Sequence, residues 1–311
     1  MGLSYRCPVK TRVTELEAGW LVSLAGFPEV RTIEPLQGGW DNTNVLLGLS
    51  DGSRVVLKVW NANTVEEVLR VIKRHCHLDR HGIPTAVPFE LGERGFHAER
   101  DGVAWTLLPF FEGGMLDSDE SSLRRLGQTM ARLHQIPLAE CFPDDYRMGW
   151  SLFDRMYAMA DEANEWTDFL VNLKEGSGKL RGIIPKDLPR GVLHGDLFPD
   201  NVIGEGSVSA ILDLEEAWIG PCAFDLVMAF VGFGWQNGAP IRERWDALLT
   251  GYQSVRPLTD SEREALPALH RYATLSIAAW RYWKHVMSEP DEVLGERYLE
   301  MVDRLRVEFE F

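Results

Sequence analysis

Cysteine is scarce in this chain of 311 residues, and its four cysteines form no CxxC pair. So few and so widely separated cysteines suggest neither a zinc site nor a disulfide framework, and a reducing compartment suits the chain. Long apolar runs are lacking as well, because the stretch from Phe224 to Trp235 is too short to span a bilayer. The opening segment MGLSYRCPVK has no apolar signal-peptide core. These features predict a cytoplasmic protein without a membrane partner.

Positive charge is also in short supply, with 32 Lys and Arg residues against 47 Asp and Glu residues and a formal net charge of −15. This surplus of negative charge opposes broad attraction to nucleic acid or anionic lipid, so no nucleic-acid partner is expected. Hydrophobic residues make up 45% of the chain and charged residues 25%, which is an ordinary globular balance. The length, about twice that of a typical single domain, predicts two lobes.

The first third of the sequence carries strand patterns. Two apolar, β-branched runs between Val45 and Trp60 flank a turn at residues 50–53, which predicts a hairpin. Apolar residues at helical spacing follow Thr64 and predict a helix that ends before Gly82. Two further strands are predicted, at residues 89–91 and 103–111.

From Ser122 onward the pattern becomes helical, with Leu123, Leu126, Met130 and Leu133 recurring at spacings of three and four. The glycine pair that follows residue 112 marks a flexible boundary. We therefore predict an α+β fold with a sheet-rich N-lobe at residues 1–112 and a mainly helical C-lobe at residues 113–311. Short β-like runs interrupt the helices at residues 191–194, 201–203 and 210–214.

The strongest chemical signal is HGDLFPDN at residues 194–201, followed by Asp213 in ILDLE. Phosphoryl transfer needs a carboxylate that orients the attacking hydroxyl and accepts its proton, and it needs amide and carboxylate oxygens that hold magnesium against a triphosphate. Asp196 matches the first role, and Asn201 and Asp213 match the second. Such residues also build ordinary turns, but their joint spacing favours the catalytic interpretation.

Lys58 is a lone charge in the apolar run VVLKVW. In kinases a strand lysine binds the α- and β-phosphates of ATP and pairs with a helix glutamate, and Glu66 or Glu67 lies on the next predicted helix. Two alternatives stay open. Lys58 could be a charge on an edge strand, and Glu67 could complete a capping box with Thr64.

The segment GGWDNTN, residues 38–44, precedes the predicted hairpin. Its glycines, Gly38 and Gly39, and its small polar residues, Asn42, Thr43 and Asn44, suit a loop whose backbone N–H groups cradle phosphate. An ordinary turn is the alternative, but the position of the segment just before the lysine-bearing hairpin favours the phosphate-binding interpretation.

Together these segments resemble the aminoglycoside phosphotransferase and choline kinase superfamily, and GGWDNTN with HGDLFPDNV is most similar to homoserine kinase of the phosphotransferase type. The similarity continues through GIPTAVP, LLPFFEGG and LGQTMARLHQIP, at residues 82–88, 107–114 and 126–137. It implies a protein-kinase-like, two-lobed α+β fold, with ATP and Mg²⁺ as cofactors and a hydroxyl of a small molecule as the phosphoryl acceptor.

The resemblance also implies roles for individual residues. It assigns catalysis to Asp196, magnesium binding to Asn201 and Asp213, and phosphate binding to Lys58. It adds the backbone from Leu108 to Phe110 as the adenine hinge, Asp225 as a brace of the catalytic loop, and His194 as a support of that loop.

The acceptor stays open at this point. Homoserine is the first choice, and choline, ethanolamine or an aminoglycoside is the alternative, since Lys58 and the segment LDLEEAWIGPC differ from the pattern usual in homoserine kinases. A zwitterion such as homoserine needs a basic side chain for its carboxylate, and Arg281, on the aromatic segment His270–His285, is the first residue to test.

Two other classes of protein are disfavoured. A protein kinase would need a long activation loop, and only eleven residues separate Asp213 from Asp225. A non-catalytic pseudokinase that only binds nucleotide would not need the full set of Lys58, Asp196, Asn201 and Asp213.

Overall fold

The structure of the chain is a computed structural model that describes residues 11–36 and 42–311. These residues form two compact units. The first extends to Gly113 and also takes in Ser209–Leu212, and the second contains Gly114–Val208 and Asp213–Phe311. The N-terminal part is rich in antiparallel strands and the C-terminal part in helices, so the predicted α+β fold is confirmed.

An antiparallel sheet forms the centre of the first unit. Its strands are β1 (Val30–Pro35), β2 (Thr43–Leu49), β3 (Arg54–Val59), β4 (Ala98–Arg100) and β5 (Val103–Pro109). They lie in the order β1-β2-β3-β5-β4, which places β3 between two neighbours. The predicted hairpin is confirmed as β2 and β3, whose buried Leu47 and Leu57 contribute to the core of this unit.

Two helices accompany this sheet, α1 (Glu15–Leu24) and α2 (Val65–Arg80). Each follows a threonine whose side-chain oxygen accepts a hydrogen bond from the N–H three residues later, while the glutamate there bonds back to the threonine N–H. These capping boxes satisfy N–H groups that have no partner within the helix. The predicted helix after Thr64 is confirmed, and it ends before Gly82 as expected.

The predicted strand at residues 89–91 is wrong. The Phe89 N–H does donate to the carbonyl oxygen of Leu107 at 2.7 Å, but the next contact turns away from β5, because the Leu91 N–H donates to Gly95 at 2.6 Å. A short 3-10 turn at Gly92–Arg94 lies between those two residues. The strand ladder is therefore taken up by β4 instead.

Helices make up most of the second unit: α3 (Glu120–Leu133), α4 (Trp150–Ala163), α5 (Asp168–Ile183), α6 (Cys222–Phe233), α7 (Arg242–Gln253), α8 (Asp260–Tyr282) and α9 (Tyr298–Arg304). A π-helical turn at Trp283–Ser288 continues α8. Helix α6 is apolar and buried along nearly all of its length, which places it in the core of the unit. Among the helices of residues 11–36 and 42–311, none combines the length and apolar character that crossing a membrane requires.

Short strands connect these helices: β6 (Gly114–Met115), β7 (Arg190–Leu193), β8 (Val202–Gly204), β9 (Val208–Ile211), β10 (Trp218–Pro221), β11 (Trp235–Gln236) and β12 (Ala239–Pro240). β7 and β10 pair in antiparallel fashion. β9 ends at Ile211, whose N–H donates to the carbonyl oxygen of Pro84 at 2.9 Å, and this contact explains why Ser209–Leu212 belong to the first unit.

Helices α3 and α7 cross at two glycines. A Cβ on Gly127 would overlap the carbonyl oxygen of Leu248 and lie 2.7 Å from the backbone nitrogen of Tyr252, and a Cβ on Gly251 would overlap the carbonyl oxygen of Arg124. Because backbone atoms and not flexible side chains occupy this space, only glycine permits so close an approach of the two helices.

We predict that Gly127→Ala lowers the free energy of unfolding by about 2 kcal/mol or more, because the added methyl group forces the two helix backbones apart. Urea denaturation followed by circular dichroism measures the change. The control is Gly178→Ala on α5, where a Cβ meets no atom within 4 Å. Since alanine favours a helix over glycine, this control should gain up to about 1 kcal/mol. Equal stability of the two variants would contradict the proposed contact.

Candidate active site

The segment His194–Asn201 forms the loop that connects β7 to β8, and a buried carboxylate of α6 holds it in place. Asp225 Oδ2 accepts a hydrogen bond from the His194 N–H at 2.6 Å, and Oδ1 accepts one from the Gly195 N–H at 2.9 Å. His194 Nδ1 in turn accepts from the Asp196 N–H at 3.2 Å. The predicted bracing role of Asp225 and supporting role of His194 are therefore confirmed.

A buried histidine balances the charge of Asp225. His134, which caps the C-terminus of α3, has Nε2 at 3.3 Å from Asp225 Oδ2 and Nδ1 at 2.7 Å from the hydroxyl of Tyr252. Burial by itself would lower the pKa of His134, but Tyr252 and Asp225 hold that pKa well above its usual value. A cation also suits a helix C-terminus. The loop is therefore held by a buried, hydrogen-bonded ion pair.

Gly195 is the tightest point of this loop. Its φ of 84° lies in the left-handed region, and a Cβ there would lie 2.7 Å from the carbonyl oxygen of Glu216. Both the conformation and the lack of space require glycine. The hydroxyl of Tyr146 donates to the carbonyl oxygen of Gly195 at 2.7 Å. Gly195 therefore brings two other segments of the second unit against the loop.

Asp196 and Asn201, the predicted base and one predicted magnesium ligand, are in direct contact. Asn201 Nδ2 donates to Asp196 Oδ2 at 3.0 Å and to the Asp196 carbonyl oxygen at 2.8 Å. A 3-10 turn at Pro199–Asn201 brings the chain back so that this contact can form. Because Nδ2 makes both bonds, the amide oxygen of Asn201 lies outside the contact, and such an oxygen is a ligand that Mg²⁺ accepts.

The carboxyl group of Asp196 titrates well above its ordinary range, although the residue is only half-buried. Burial, followed by the carboxylates of Glu216 and Asp200, raises the pKa of Asp196 to about 8; the bond from Asn201 opposes this and Asp213 adds to it. Like charges gathered in one place disfavour further ionisation. A bound cation would reverse this effect and favour the ionised form of Asp196.

Asp213 comes after β9 in a left-handed conformation, with φ of 51°, so the predicted β-like run to residue 214 was too long.

Within residues 11–36 and 42–311, no three His, Cys, Asp or Glu side chains group as a metal site. A magnesium ion held by Asn201 and Asp213 would therefore complete its shell with water and phosphate oxygens, as is usual in kinases. The oxygen ligands and the surplus of carboxylates fit such an ion.

Lys58 lies on β3, opposite Asn44 of β2 and Thr106 of β5. The residue is buried, and its Nζ lies 3.9 Å from the ring centroid of Trp60. The alternative that Lys58 is an edge-strand charge is wrong, because β3 has a neighbouring strand on each side. A buried central position suits a phosphate-binding lysine, and that role stays a prediction.

The two glutamates considered as partners of Lys58 make contacts within their own helix. Glu67 Oε2 accepts from the Thr64 N–H at 2.8 Å and from the Thr64 hydroxyl at 2.9 Å, which confirms the capping alternative. Glu66 pairs with Arg70 at 2.7 Å. The pairing of Glu67 with Lys58 stays a prediction.

The predicted phosphate-binding loop is described in part, since Gly38 and Gly39 lie outside the described residues. Asn42 Nδ2 donates to Asn63 Oδ1 at 3.3 Å, and Asn61 Nδ2 donates to the hydroxyl of Thr43 at 2.8 Å. These bonds fix the start of β2 against the chain that follows β3.

The remaining predicted nucleotide contacts lie on or beside the sheet of the first unit. Asn44 is part of β2 and Leu108 is part of β5. Phe110 follows β5, and the guanidinium carbon of Arg54 lies 4.3 Å from its ring centroid. The position of Leu108 and Phe110 at the end of a strand suits a hinge, and that role also stays a prediction.

Residues 32–258 match the family model described as the phosphotransferase enzyme family, which is well over half of the chain. The chain belongs to this phosphotransferase family. Membership identifies it as a small-molecule phosphotransferase, and the family implies the use of ATP and of a small-molecule acceptor.

Known relatives support the same conclusion. A homoserine kinase of Rhizobium meliloti is 28% identical over 315 residues, which cover 96% of this chain and 93% of that protein. The amicoumacin kinase hAmiN, solved in complex with AMP-PNP, Ca²⁺ and Ami, has a TM-score of 0.69 at 15% identity and covers 93% of this chain and 92% of that one. Plasmodium vivax ethanolamine kinase has a TM-score of 0.67 at 11% identity, and the match covers 89% of this chain and 81% of that one. The two solved structures show that the fold is kinase-like.

Sequence reasoning missed three residues that shape the candidate site of this phosphotransferase: His134, Tyr146 and Glu216. His134 lies in LGQTMARLHQIP, a segment already recognised as shared with related kinases, so a signal for it existed. The doubled glutamate just after Asp213 was a weaker signal for Glu216. Tyr146 had none, because its contact with Gly195 joins positions 49 residues apart.

We predict that Asp225→Asn lowers the free energy of unfolding by about 3 kcal/mol or more, because one oxygen that accepts a backbone N–H is replaced by an amino group and His134 loses its anionic partner. Chemical denaturation measures the change. The control is Asp154→Asn, which removes a carboxylate from the exposed pair with Arg181 and should cost about 0.5 kcal/mol. Similar losses in both variants would contradict the bracing role.

The His134–Asp225 ion pair also makes the stability depend on pH. The folded-state pKa of His134 is raised above its unfolded value of about 6.5, so the stabilisation from charged His134 is fully present below pH 6.5. That stabilisation is lost as the pH rises towards the folded-state pKa. The stability difference between the parent and Asp225→Asn should therefore shrink as the pH is raised from 6 upward.

Proposed function

We propose that this phosphotransferase transfers the γ-phosphoryl group of MgATP to the side-chain hydroxyl of homoserine. The observation that carries the reaction is the contact between Asp196 and Asn201 in a loop fixed by Asp225, because it supplies a base beside a magnesium ligand. The relative named homoserine kinase, similar over 96% of the chain, supports the choice of acceptor.

In the proposed reaction, the Asp196 carboxylate accepts a hydrogen bond from the acceptor hydroxyl and orients it towards the γ-phosphorus of ATP. The hydroxyl oxygen forms a new bond to that phosphorus while the bond to the β,γ-bridging oxygen breaks. The electron pair of the broken bond leaves with ADP, and the proton of the hydroxyl passes to Asp196.

Other residues would bind the nucleotide and its metal. Asn201 and Asp213 would hold Mg²⁺, which supplies neutralisation of the phosphate charge. Lys58 would bind phosphate oxygens. The remaining proposed nucleotide-binding residues are Gly38, Gly39, Asn42, Thr43, Asn44, Glu67, Leu108 and Phe110.

A cationic alcohol is the second candidate acceptor. The carboxylates of Glu216, Asp200 and Asp213 that raise the pKa of Asp196 also create a negative field, and such a field attracts an ammonium group. Choline, ethanolamine and aminoglycosides all carry positive charge and a hydroxyl. Homoserine differs from them because it also carries a carboxylate, so the presence of a basic group near Asp196 distinguishes the candidates.

Arg281 does not suit that basic role. Its Nη1 donates to Glu300 Oε2 at 2.8 Å and to the carbonyl oxygen of Arg297 at 3.0 Å, and 12% of its side chain is exposed. It therefore fastens α8 to the segment that contains α9, and a substrate carboxylate would have to displace Glu300. Arg281 thus has an internal partner, and the carboxylate-binding residue must be sought elsewhere.

We predict that kcat/KM is higher for homoserine than for choline, ethanolamine or an aminoglycoside when ADP release is measured with each acceptor in the presence of MgATP. Asp196→Asn should lower kcat with homoserine by on the order of a hundredfold or more, because the base is lost. It should still fold, since an asparagine oxygen can accept the bond from Asn201. Turnover of choline and not of homoserine by the parent would overturn the choice of acceptor.

We predict that Asp213→Ala raises the Mg²⁺ concentration needed for half-maximal rate by about tenfold or more, because a direct ligand is lost. The rate is measured at fixed ATP with increasing Mg²⁺. The control is Asp200→Ala, which removes another carboxylate that acts on Asp196 but is not a proposed ligand. An unchanged Mg²⁺ requirement in Asp213→Ala, or an equal change in both variants, would refute the assignment.

A further inference from the structure

An ion pair with unequal exposure lies in the second unit, between Arg147, which has no role so far, and Glu216, whose charge acts on Asp196. Arg147 Nε lies 3.4 Å from Glu216 Oε1; 43% of the arginine side chain is exposed, against 12% of the glutamate side chain. A guanidinium has five N–H donors in a planar fork and can therefore contact a second carboxylate while it contacts the first. Arg147 is thus a basic group that a ligand from solvent can reach.

Contacts of neighbouring residues bring the two segments of this pair against the loop of the base. Tyr146, the neighbour of Arg147, donates its hydroxyl hydrogen bond to the carbonyl oxygen of Gly195 at 2.7 Å, and Gly195 immediately precedes Asp196. On the other side, a Cβ on Gly195 would lie 2.7 Å from the carbonyl oxygen of Glu216. Arg147 and Glu216 each belong to a segment that contacts the residue before Asp196.

The same arrangement is visible in the electrostatics. After burial, the carboxylate of Glu216 is the largest influence that raises the pKa of Asp196. Burial and then the charges of Asp196 and Glu216 also hold the pKa of Tyr146 well above its usual value. The ring of Tyr146 stacks on Trp218, with centroids 5.2 Å apart, so its position is fixed by packing as well as by its hydrogen bond.

We propose that Arg147 and Glu216 form the subsite that binds the head group of an α-amino acid acceptor, with Arg147 on its carboxylate and Glu216 on its ammonium group. This subsite rests on the proposed homoserine kinase function and extends it to named acceptor-binding residues. An α-carbon carries one group of each charge, and the ion pair offers the complementary charges side by side. Two methylene groups separate the α-carbon of homoserine from its hydroxyl, which lets the hydroxyl extend from the subsite towards Asp196.

The pair also discriminates against acceptors that carry positive charge alone. Glu216 would attract an ammonium group of any acceptor, but Arg147 would repel it unless a carboxylate accompanies it. Choline, ethanolamine and aminoglycosides have no carboxylate, so each would leave Arg147 without a ligand group and would place its own cation near the guanidinium. Specificity for an amino acid then follows from the arginine, and attraction of the ammonium group follows from the glutamate.

Truncated acceptors separate the two contacts. The compound 3-amino-1-propanol lacks the carboxylate of homoserine, and 4-hydroxybutanoate lacks its ammonium group. The KM of homoserine and the competitive inhibition constant of each truncated compound are measured for the parent, Arg147→Met and Glu216→Gln. Inhibition constants are available even when a compound is not phosphorylated.

We expect Arg147→Met to weaken homoserine and 4-hydroxybutanoate by about 30-fold and to leave 3-amino-1-propanol within about threefold, because a charge-assisted bond to a carboxylate is lost. Glu216→Gln should weaken homoserine and 3-amino-1-propanol and should not weaken 4-hydroxybutanoate. A merely structural pair would change all three compounds alike. Arg147→Lys, which keeps the charge, should recover part of the binding of both carboxylate compounds.

The control is Arg181→Met, because Arg181 is equally exposed, at 42% of its side chain, and pairs with Asp154. It should leave all three constants unchanged, and circular dichroism checks the fold of every variant. If the parent phosphorylates homoserine but Arg147→Met binds all three compounds as the parent does, or all three more weakly by one factor, the subsite is refuted and the proposed function stands. If the parent does not phosphorylate homoserine at all, the proposed function itself fails.

Discussion

The contact between the Asp225 carboxylate and two consecutive backbone N–H groups is the constraint on which the candidate site depends. It fixes the peptide groups of His194 and Gly195, and through them the position of Asp196. Asp225 can do this because it lies on α6, a helix buried along nearly all of its length and therefore unable to shift by itself. Its charge is balanced by His134, and His134 is held in turn by Tyr252 of α7. The close crossing of α3 and α7 at glycines brings those two residues together, so helix packing determines the position of the base.

Negative charge is the second constraint. Asp196 is surrounded by Glu216, Asp200 and Asp213, and together with burial they raise its pKa to about 8. Such a gathering of carboxylates disfavours the ionised form of Asp196 in the isolated protein, because like charges destabilise one another. The arrangement becomes favourable when cations arrive, as a magnesium ion on Asn201 and Asp213 and an ammonium group at Glu216 would. A site that would hold the anionic phosphates of ATP and the ammonium group of a zwitterionic acceptor would thus gain affinity from ligands that arrive together.

Local sequence signals predicted the elements and motifs whose determinants lie close together in the chain. The β2–β3 hairpin follows from its turn and alternating pattern, α2 from its capping threonine, and the base loop from the spacing of Asp196 and Asn201. The failures are of two kinds. Residues 89–91 do not continue the sheet because the Leu91 N–H donates to Gly95, a local turn that the strand pattern did not indicate. Arg281 pairs with Glu300, 19 residues later, and no local pattern indicates that contact. The capping box at Glu67 was visible in the sequence, but whether its carboxylate would cap or pair with Lys58 depends on the competition between two partners, which a pattern does not rank.

The residues proposed for the reaction and those proposed for the acceptor differ in how close they lie in the sequence. The proposed base, Asp196, and the proposed magnesium ligand Asn201 lie in one short segment, residues 194–201, within the part of the chain that matches the family. The proposed acceptor subsite depends on Arg147 and Glu216, which lie on separate segments and meet at 3.4 Å. Tyr146 bonds Gly195, and a glycine at position 195 leaves room for the backbone of Glu216. At 28% identity, the relative named homoserine kinase can share the loop without sharing either side chain. Under this proposal the acceptor is decided by two side chains on a common framework, and exchange of one charge there would change the substrate while the base and its loop stay the same.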